Sequence, residues 1–475
     1  MCFAQWGPDV RLTYTGSNCS TTPPSGRSVV SDTSGFLHVV WKQGGGLSGD
    51  LWYRRRRVGW DFPILLAEST AIGGDLNTSF SVATDGFGDV YVAWGDVRFG
   101  YSNSEIYCRT STDDGGNWGP EVRLTNAPGR SVSPSLVALG TTVHVVWLDY
   151  RATPTGQVYY KRKASGIWGQ DTALTADSDT LSYPTIACDS SGRVFVAWWR
   201  ARNRKGEMWF KRYNGASWEP GIRLSQDTLL NGWSPYLPSL AVSGDGVINL
   251  FWNSGNEEIY YKKSSDGGAT WGPDVRLTYD LAESWWPSGA TGPGGRVQVV
   301  WADGRTNGMG DIFFKESTDG GQSWSPDSQL TTDSSESWCP TLAVDPSGGL
   351  HVVWMDSRDT VFQVYYKSRA PLGIEGDSTS FERLSYSLFQ SAPNPWASGT
   401  RISYALPHET QVVLRVYNPT GQLVRSLIHG KESAGFKQVA WDGRDDGGRR
   451  VPSGVYFLKL EALGQSAVQK VVVVR

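Results

Sequence analysis

The chain has 475 residues and a formal net charge of -3, and it contains 56 glycines, 24 prolines, 23 tryptophans and 20 tyrosines. This length predicts two or more domains, and the nearly balanced charge gives no electrostatic reason to expect nucleic acid or an anionic membrane as a partner. No apolar run approaches the ~20 residues of a membrane-spanning helix, so we expect no membrane span. The many glycines, prolines and aromatic residues are typical of turn-rich β architecture, so we expect an almost entirely β protein.

Five cysteines form a sparse, odd-numbered set without the spacing of a metal site: Cys2, Cys19, Cys108, Cys188 and Cys339. We expect buried thiols at Cys108 and Cys188, no disulfide framework, and neither a metal ion nor a cofactor. The opening residues Met-Cys-Phe-Ala-Gln-Trp lack the basic and hydrophobic regions of a signal peptide. If the protein is exported, its leader is therefore not part of this sequence.

A Val-x-Trp phrase recurs along most of the chain, with successive gaps of 53, 53, 51, 54, 49 and 53 residues. We number the repeats 1 to 7 by its tryptophan: Trp41, Trp94, Trp147, Trp198, Trp252, Trp301 and Trp354. A period near fifty residues, made of short β-type runs and turns, indicates an array of small sheets.

Each repeat contains four strand-like phrases, which we call strands A to D. Strand A is a short apolar run such as Pro184–Ala187, and strand B is the Val-x-Trp phrase, whose continuous apolar character predicts burial on both faces. Strand C carries an acidic residue or Gln and then aromatics, as in Glu258–Tyr261, and strand D is an Arg-Leu-Thr phrase such as Arg276–Thr278. Between C and D, three repeats carry a Ser-(Thr)-Asp-Gly-Gly type turn closed by a tryptophan: 111–118, 265–271 and 317–324.

These C-to-D turns resemble the Asp-box, or BNR, repeats of the sialidase superfamily, over roughly three quarters of the chain. The resemblance implies a β-propeller, and it implies that the boxes lie on hairpins remote from any active site. We therefore predict an all-β fold in which residues 1–369 form a seven-bladed, sialidase-like β-propeller. The amino-terminal phrase Trp6–Thr13 looks like a C-to-D remnant that could pair with the last sheet and protect its edge, and Phe381–Ser385 is a competing candidate.

The period stops after residue 369, and residues 370–386 are predicted to be a linker. Residues 387–475 contain alternating strand-like runs separated by turns, which indicate a small Ig-like β-sandwich. This part resembles the FlgD-type Ig-like and type IX secretion sorting domains found at the carboxyl ends of many surface proteins. The resemblance implies export, attachment to the cell surface, and secretion or attachment machinery as a partner.

The candidate site lies where the D-to-A and B-to-C connections of a propeller emerge. Four repeats end strand B with Trp-x-Asp-x-Arg, which places four carboxylate and guanidinium pairs on that face: Asp96/Arg98, Asp149/Arg151, Asp303/Arg305 and Asp356/Arg358. Arg200 and Arg202 follow strand B of repeat 4. Aromatic residues just before strand A fall on the same face: Tyr183, Trp233, Tyr236, Trp286 and Trp338.

This combination suits stacking on sugars and recognition of carboxylates. A group repeated in four blades is, however, more easily explained as a structural fastening than as an active site, so we predict no catalytic residue. A sialidase would need three arginines, an Asp acid and a Tyr nucleophile assisted by Glu. Arg27 with Arg200, Arg202, Arg305 or Arg358 could supply the arginines, but no Tyr/Glu pair is apparent, and Glu283 and Glu336 repeat each other.

Three hypotheses follow. The favoured one is a secreted or surface-attached monomeric propeller that binds glycans or other extracellular polymers without catalysis. An exo-acting glycoside hydrolase of sialidase type is the enzyme alternative, and a structural surface component is the third.

Overall fold

A computed structural model describes residues 5–22, 25–45, 49–57, 59–71, 80–202, 205–225, 237–254, 257–306, 308, 310–371, 387–388, 396, 399–406, 409–433, 435–462 and 464–474. The chain divides into two compact units, which are Met1–Arg57 with Pro63–Gly376 and Val58–Phe62 with Asp377–Arg475. Helical structure in the described residues consists of two short 3-10 turns, Tyr101–Asn103 and Pro293–Gly295. None of the described helices has the length and apolar character needed to cross a bilayer.

The first unit is built from antiparallel sheets in which strands A, B, C and D follow one another in space as in sequence. Strand A of repeats 1 to 7 is Val29–Ser31, Phe80–Thr84, Ser131–Leu139, Thr180–Cys188, Ser239–Val242, Ser284–Gly292 and Ser337–Val344. Strand B is Leu37–Gln43, Val90–Asp96, Thr142–Asp149, Val194–Arg202, Ile248–Asn253, Arg296–Asp303 and Leu350–Asp356. Strand C is Gly49–Arg56, Glu105–Ser111, Gln157–Ala164, Lys205–Tyr213, Ile259–Ser264, Asp311–Ser317 and Gln363–Arg369.

Strand D of repeats 1 to 6 is Ile64–Ala71, Val122–Arg123, Thr172–Ala173, Ile222–Arg223, Val275–Arg276 and Ser328–Gln329. Two further short strands, Cys19–Ser20 and Ile167–Trp168, pair with strand B of repeat 1 and strand C of repeat 3. A single pair, Ala71 opposite Asp96, links the strands of repeats 1 and 2 into one nine-stranded sheet. The predicted all-β, propeller-like architecture of sequential antiparallel sheets is confirmed.

The hydrophobic core lies between the sheets of consecutive repeats. Strand B is covered on both faces, as its uninterrupted apolar sequence predicts, and every residue of Val90–Asp96 is buried. One core cluster, for example, packs Val40 and Tyr53 of repeat 1 against Phe80 and Trp94 of repeat 2. Burial between neighbours therefore fixes each sheet against the next.

The amino-terminal segment completes the sheet of repeat 7. The strand Val10–Arg11 pairs antiparallel with strand C of that repeat, with Val10 opposite Tyr366. Trp6 lies edge-on against Phe314 of repeat 6 with ring centroids 5.2 Å apart. The prediction that this segment pairs with the last sheet is confirmed, while the competing candidate 381–385 lies outside the described residues.

A basic side chain of strand C reaches across to the neighbouring sheet in every repeat. Each donates a hydrogen bond to a leucine carbonyl oxygen of the preceding sheet. This leucine belongs to the Arg-Leu-Thr type phrase of that sheet or stands in the equivalent position. The pairs, in order of repeat, are Arg54 with Leu12, Arg109 with Leu66, Lys161 with Leu124, Lys211 with Leu174, Lys262 with Leu224, Lys315 with Leu277 and Lys367 with Leu330. These bonds satisfy buried carbonyl groups and add a polar link to each apolar interface.

The Asp boxes are folding devices at the C-to-D hairpins. In the box of repeat 6, Asp319 Oδ1 accepts bonds from the Ser317 hydroxyl at 2.7 Å and the Ser323 amide at 2.9 Å. The closing Trp324 lies edge-on against Tyr261 of repeat 5, with centroids 5.1 Å apart. The box therefore shapes its own turn and also packs one sheet on the next.

Strand A contains a recurring bulge in four repeats. The ladder to strand B shifts by one residue there, and the bulged residue, which precedes a proline, has a left-handed backbone. These residues are Ser133, Tyr183, Trp286 and Cys339, with φ of 54°, 54°, 52° and 49°. A left-handed non-glycine residue is strained and persists only where its surroundings hold it, so the bulge fixes the side chains at this end of strand A.

The second unit contains two antiparallel sheets. The three-stranded sheet has the order Ser387–Leu388, Thr400–Leu406, Gly435–Trp441, and the four-stranded sheet has the order Leu423–Glu432, Thr410–Tyr417, Gly454–Ala462, Gln465–Val473. Residues of both sheets, including Ile402, Trp441 and Leu458, form one buried cluster. This unit is the predicted β-sandwich.

The described cysteines are buried or partly buried, and none of them forms a disulfide. Burial raises the pKa of both Cys108 and Cys339 to about 12 and that of Cys188 to about 11. These thiols stay protonated at neutral pH and are poor nucleophiles.

Candidate functional site

The Trp-x-Asp-x-Arg phrase forms a compact polar knot at the end of strand B. In repeat 6, the buried Asp303 accepts hydrogen bonds from Trp301 Nε1 at 2.8 Å, Arg305 Nε at 2.8 Å and the Ser284 hydroxyl at 2.9 Å. Although burial raises it, the pKa of Asp303 stays below its ordinary value because Arg305 and Trp301 donate to the carboxylate. The same bonds from Trp and Arg are made to Asp96, Asp149 and Asp356.

The arginine of each knot is engaged on its other sides as well. Arg305 lies over the Phe313 ring at 4.5 Å and binds Asp327 at 2.7 Å. Its counterparts bind a carboxylate that precedes strand D in the same way: Arg98 with Glu121, Arg151 with Asp171 and Arg358 with Asp9. Because the carboxylates are buried and the guanidinium groups are paired, the geometry favours a structural role for these four pairs.

Other predicted site residues are placed as follows. Arg200 lies over the Trp209 ring at 4.6 Å, and its Nε donates to Asp179 at 2.8 Å, which is again a fastening. Tyr183 is only 7 % exposed and offers little surface to a ligand. Trp233, Tyr236 and the side chain of Arg202 lie outside the described residues.

Trp286 and Trp338, by contrast, are partly exposed and come together. Their ring centroids are 4.8 Å apart in an edge-on arrangement, and Trp285 stacks on Trp338 at 5.6 Å. Trp285 and Trp286 rest on the core between repeats 6 and 7. We call Trp285, Trp286 and Trp338 the tryptophan cluster; it is a rigid aromatic surface built from two consecutive strands A.

Two glutamates flank this cluster. The backbone places them together, because the amide of Ser284, next to Glu283, donates to the carbonyl of Glu257 at 2.7 Å. Burial first, and then the Glu283 carboxyl, raise the pKa of Glu257 to about 7, while a hydrogen bond from the Trp285 side chain opposes the rise. The Glu257 carboxyl is therefore partly protonated near neutral pH, beside Trp285 and the Glu283 carboxyl.

Glu257 is also distinct in its backbone, with φ of 58° in the B-to-C turn of repeat 5. The equivalent carbonyl in repeat 6 belongs to Gly310, which accepts from Ser337 at 2.9 Å. Repeat 5 thus carries a carboxylic acid where repeat 6 has a glycine. Sequence reasoning missed Glu257, although the doubled Glu257-Glu258 before strand C is a visible departure from the repeat.

The arginines proposed as sialidase substitutes have separate partners. Arg27 Nη2 donates to the carbonyls of Ile186 and Leu240, at 3.4 Å each, whereas Arg305 and Arg358 are held by carboxylates of their own knots. No described contact joins Arg27 to either of them. This arrangement differs from a three-arginine grip on one substrate carboxylate.

A recess of about 460 Å³ lies at the opposite end of the strands. Its walls are A-to-B turns of repeats 1, 2, 5, 6 and 7 and include Asp32, Asp85 and Asp345. Each of these carboxylates accepts backbone amides of its own turn: Asp32 from Phe36, Asp85 from Asp89 and Asp345 from Gly349. The recess is thus lined by turn-forming groups, unlike the tryptophan cluster.

The carboxyl-terminal part matches a known family. The model of the FlgD Ig-like domain matches residues 394–466, which confirms the FlgD-type part of the predicted resemblance. No curated protein matches the chain as a whole.

The solved structures that are similar to the chain include a polysaccharide lyase and a lectin. A polysaccharide lyase of family PL25, an ulvan lyase bound to -[GlcA(1-4)Rha3S]-, has a TM-score of 0.52 at 10% identity and covers 75% of this chain and 95% of its own. The lectin BP39L from Burkholderia pseudomallei has a TM-score of 0.51 at 14% identity and covers 70% of this chain and 97% of its own. At these identities the likeness shows the fold alone.

Proposed function

We propose that the protein is a glycan-binding propeller and that the tryptophan cluster is its binding surface. The observation that carries this proposal is the contact of Trp286 with Trp338 at 4.8 Å, backed by Trp285 at 5.6 Å from Trp338. Partly exposed, mutually packed indoles give an apolar aromatic surface that is already ordered before a ligand arrives, and such a surface suits the faces of sugar rings.

The glutamate pair adds the polar part of the site. A carboxyl group accepts hydrogen bonds from sugar hydroxyls when ionised and can also donate one when protonated. Because the pKa of Glu257 is about 7, this carboxyl group takes both roles beside Trp285 near neutral pH. An ionised carboxylate at this place would repel anionic sugars. We therefore infer that the ligand is a neutral glycan rather than a uronate or sulfated polymer.

We further propose that residues 1–369 form a closed seven-bladed propeller. Seven basic side chains of strand C each bond the preceding sheet, and the set includes Arg54, which bonds Leu12 of the amino-terminal segment. Strand A of each repeat contacts strand A of the next, and that of repeat 7 contacts that of repeat 1. Both observations support closure of the ring by the amino-terminal strand.

The proposed division of the chain continues with a linker at 370–386 and an attachment domain at 387–475. Support comes from the FlgD Ig-like match at 394–466 and the separate core of the second unit. Export, a surface location and an interaction with secretion or attachment machinery are part of the same proposal. They rest on the resemblance of this domain to sorting domains of surface proteins.

An exo-acting glycoside hydrolase is the second candidate. It is favoured by Glu257, since a carboxylic acid with a pKa near 7 is suited to protonate a leaving group, and by Glu283, which supplies a second carboxyl group beside it. The described arginines argue against this candidate, because they have separate partners and do not form a cluster that could bind one substrate carboxylate.

A screen on a glycan array, with fluorogenic glycosides including sialosides assayed in parallel, separates these candidates. Binding to neutral glycans without release of fluorophore supports the binding function. Turnover that is lost in Glu257→Gln, while the variant remains folded, would establish the enzyme instead. If neither binding nor turnover is observed, both candidate functions lose their support.

A further inference from the structure

Arg27 occupies a position at which the other repeats carry apolar residues. The residue two places after it, Val29, pairs with Val39 of strand B. The same register places proline at this position in five repeats and phenylalanine in one: Pro134, Pro184, Pro238, Pro287, Pro340 and Phe80. A positive charge therefore replaces an apolar side chain in repeat 1 alone among the seven aligned positions.

The Arg27 side chain crosses the space that the strands A surround. Strand A of each repeat contacts the next one in order, and the last contacts the first. Arg27 belongs to repeat 1, yet its Nη2 donates to the carbonyls of Ile186 in repeat 4 and Leu240 in repeat 5. These repeats are not its neighbours in the series, so the guanidinium group reaches across the ring.

The Arg27 charge has no acidic partner among the described residues. Its two hydrogen bonds are both made by Nη2 and are long, at 3.4 Å each. Burial lowers the pKa of this guanidinium, and the one charge effect opposing the change comes from the Cys188 thiol, which is itself protonated at neutral pH. A buried cation normally requires a paired anion, because taking it out of water costs far more than carbonyl contacts return.

The Arg27 side chain keeps hydrogen-bonding capacity that the described residues do not use. The residue is half-buried and retains accessible surface. The guanidinium group also has N–H donors on Nε and Nη1 that no described atom accepts, so they can meet a ligand in the space that the strands A surround. The recess at the A-to-B turns lies at one end of the same ring of strands and includes turn residues of repeat 1, such as Asp32.

We propose that Arg27 holds a small monovalent anion, of the size and charge of chloride, in the centre of the first unit. The anion pairs with the guanidinium group through its unengaged N–H donors. Because Arg27 also bonds Ile186 and Leu240, an anion that fixes its side chain stabilises the contact of repeat 1 with repeats 4 and 5. This site is independent of glycan binding at the tryptophan cluster.

Bromide is the probe, because it replaces chloride and scatters anomalously. Crystals of the full chain grown without chloride and soaked in sodium bromide should give an anomalous peak within hydrogen-bonding distance of the Arg27 guanidinium. The absence of a peak there in well-ordered crystals would overturn the proposal. This measurement uses the wild-type chain, so it does not depend on how well any variant folds.

A thermal titration is the second test of the anion site. At constant ionic strength, replacing gluconate with chloride or bromide should raise the unfolding temperature of the wild-type chain with saturation, and Arg27→Gln should lose the saturable rise. Arg449→Gln, which alters a side chain 86% exposed, is the control and should keep the rise. An equal saturable rise in wild type and Arg27→Gln would contradict a site at Arg27.

Discussion

The guanidinium group of Arg54 donates to the carbonyl oxygen of Leu12 at 2.9 Å, and both residues are almost fully buried, with exposures of 1% and 2%. Leu12 follows the strand that pairs with Tyr365 and Tyr366. The amino-terminal segment is thus held on one side by the last repeat and on the other by the first. Without the amino-terminal segment, strand C of repeat 7 would lose its paired neighbour and become a sheet edge.

Removing this bond should destabilise the first unit. In Arg54→Met the Leu12 carbonyl loses a charged donor in a buried place, which should cost about 2–4 kcal/mol of unfolding free energy. Deleting residues 1–13 should cost more and promote aggregation, since it uncovers Tyr365, Tyr366 and a strand edge. Urea unfolding and light scattering measure both effects.

The exposed Arg57 provides the control for Arg54. Arg57→Met should change the unfolding free energy by less than about 0.5 kcal/mol. Unchanged stability in both Arg54→Met and the deletion would assign closure to another segment.

The Asp box of repeat 6 offers a matched pair of glycines. Gly320 and Gly321 both have left-handed φ, at 72° and 89°, but a Cβ at Gly321 would lie 2.1 Å from the Tyr261 hydroxyl, whereas one at Gly320 would meet the Lys263 ammonium at 3.1 Å. Gly320→Ala should therefore cost about 1–2 kcal/mol for the backbone alone. Gly321→Ala should cost clearly more, because the buried Tyr261 must move. Equal unfolding free energies of the two variants would show that the box does not pack against the neighbouring sheet.

The strand order and the box turns could be predicted because they depend on short-range sequence features. Buried strands such as Val90–Asp96 are continuously apolar, and the box turns need Ser, Asp and Gly at fixed offsets. The bulge in strand A is less visible, although the phrases Ser-Trp-Trp-Pro at 284–287 and Ser-Trp-Cys-Pro at 337–340 already match Trp338 with Trp285 and Cys339 with Trp286.

The site itself was predicted only in part. Trp286 and Trp338 were identified as large residues before strand A, but their contact depends on how two consecutive sheets pack. The pairing of Glu257 with Glu283 joins a turn of one repeat to a connection of the next, a long-range relationship that no local spacing encodes. The sequence shows the Asp and Arg pairs as a recurring unit, but their spacing does not show that the carboxylates are buried.

The glutamate pair should give the protein a pH-dependent stability. Because burial and Glu283 raise the pKa of Glu257 from 4.5 to about 7, the folded chain binds this proton more tightly than the unfolded chain does. Its stabilising contribution is complete below about pH 4.5 and is lost as the pH rises through 7. The wild-type chain should therefore lose stability relative to Glu257→Gln between pH 5 and pH 8, measured by urea unfolding. The same difference at both pH values would contradict the raised pKa of Glu257.

Residues 372–475 should be dispensable for the binding function. A chain ending at residue 371 keeps every strand of the first unit, so it should unfold at nearly the same temperature as that unit in the full chain and keep its glycan affinity. Differential scanning calorimetry and binding titration measure the two properties. A much lower unfolding temperature would make the second unit structural rather than an attachment module.

The most direct measurement is the affinity of the best array glycan for Trp286→Ala, determined by isothermal titration calorimetry. The substitution keeps Cβ and removes the indole that contacts Trp338, so binding should weaken by about 1–3 kcal/mol, or about 5–150-fold, with little change in unfolding temperature. Phe87→Ala removes a ring 85% exposed in an A-to-B turn, away from the cluster, and should bind as the wild type does. Wild-type affinity in Trp286→Ala would contradict the tryptophan cluster as the glycan-binding surface.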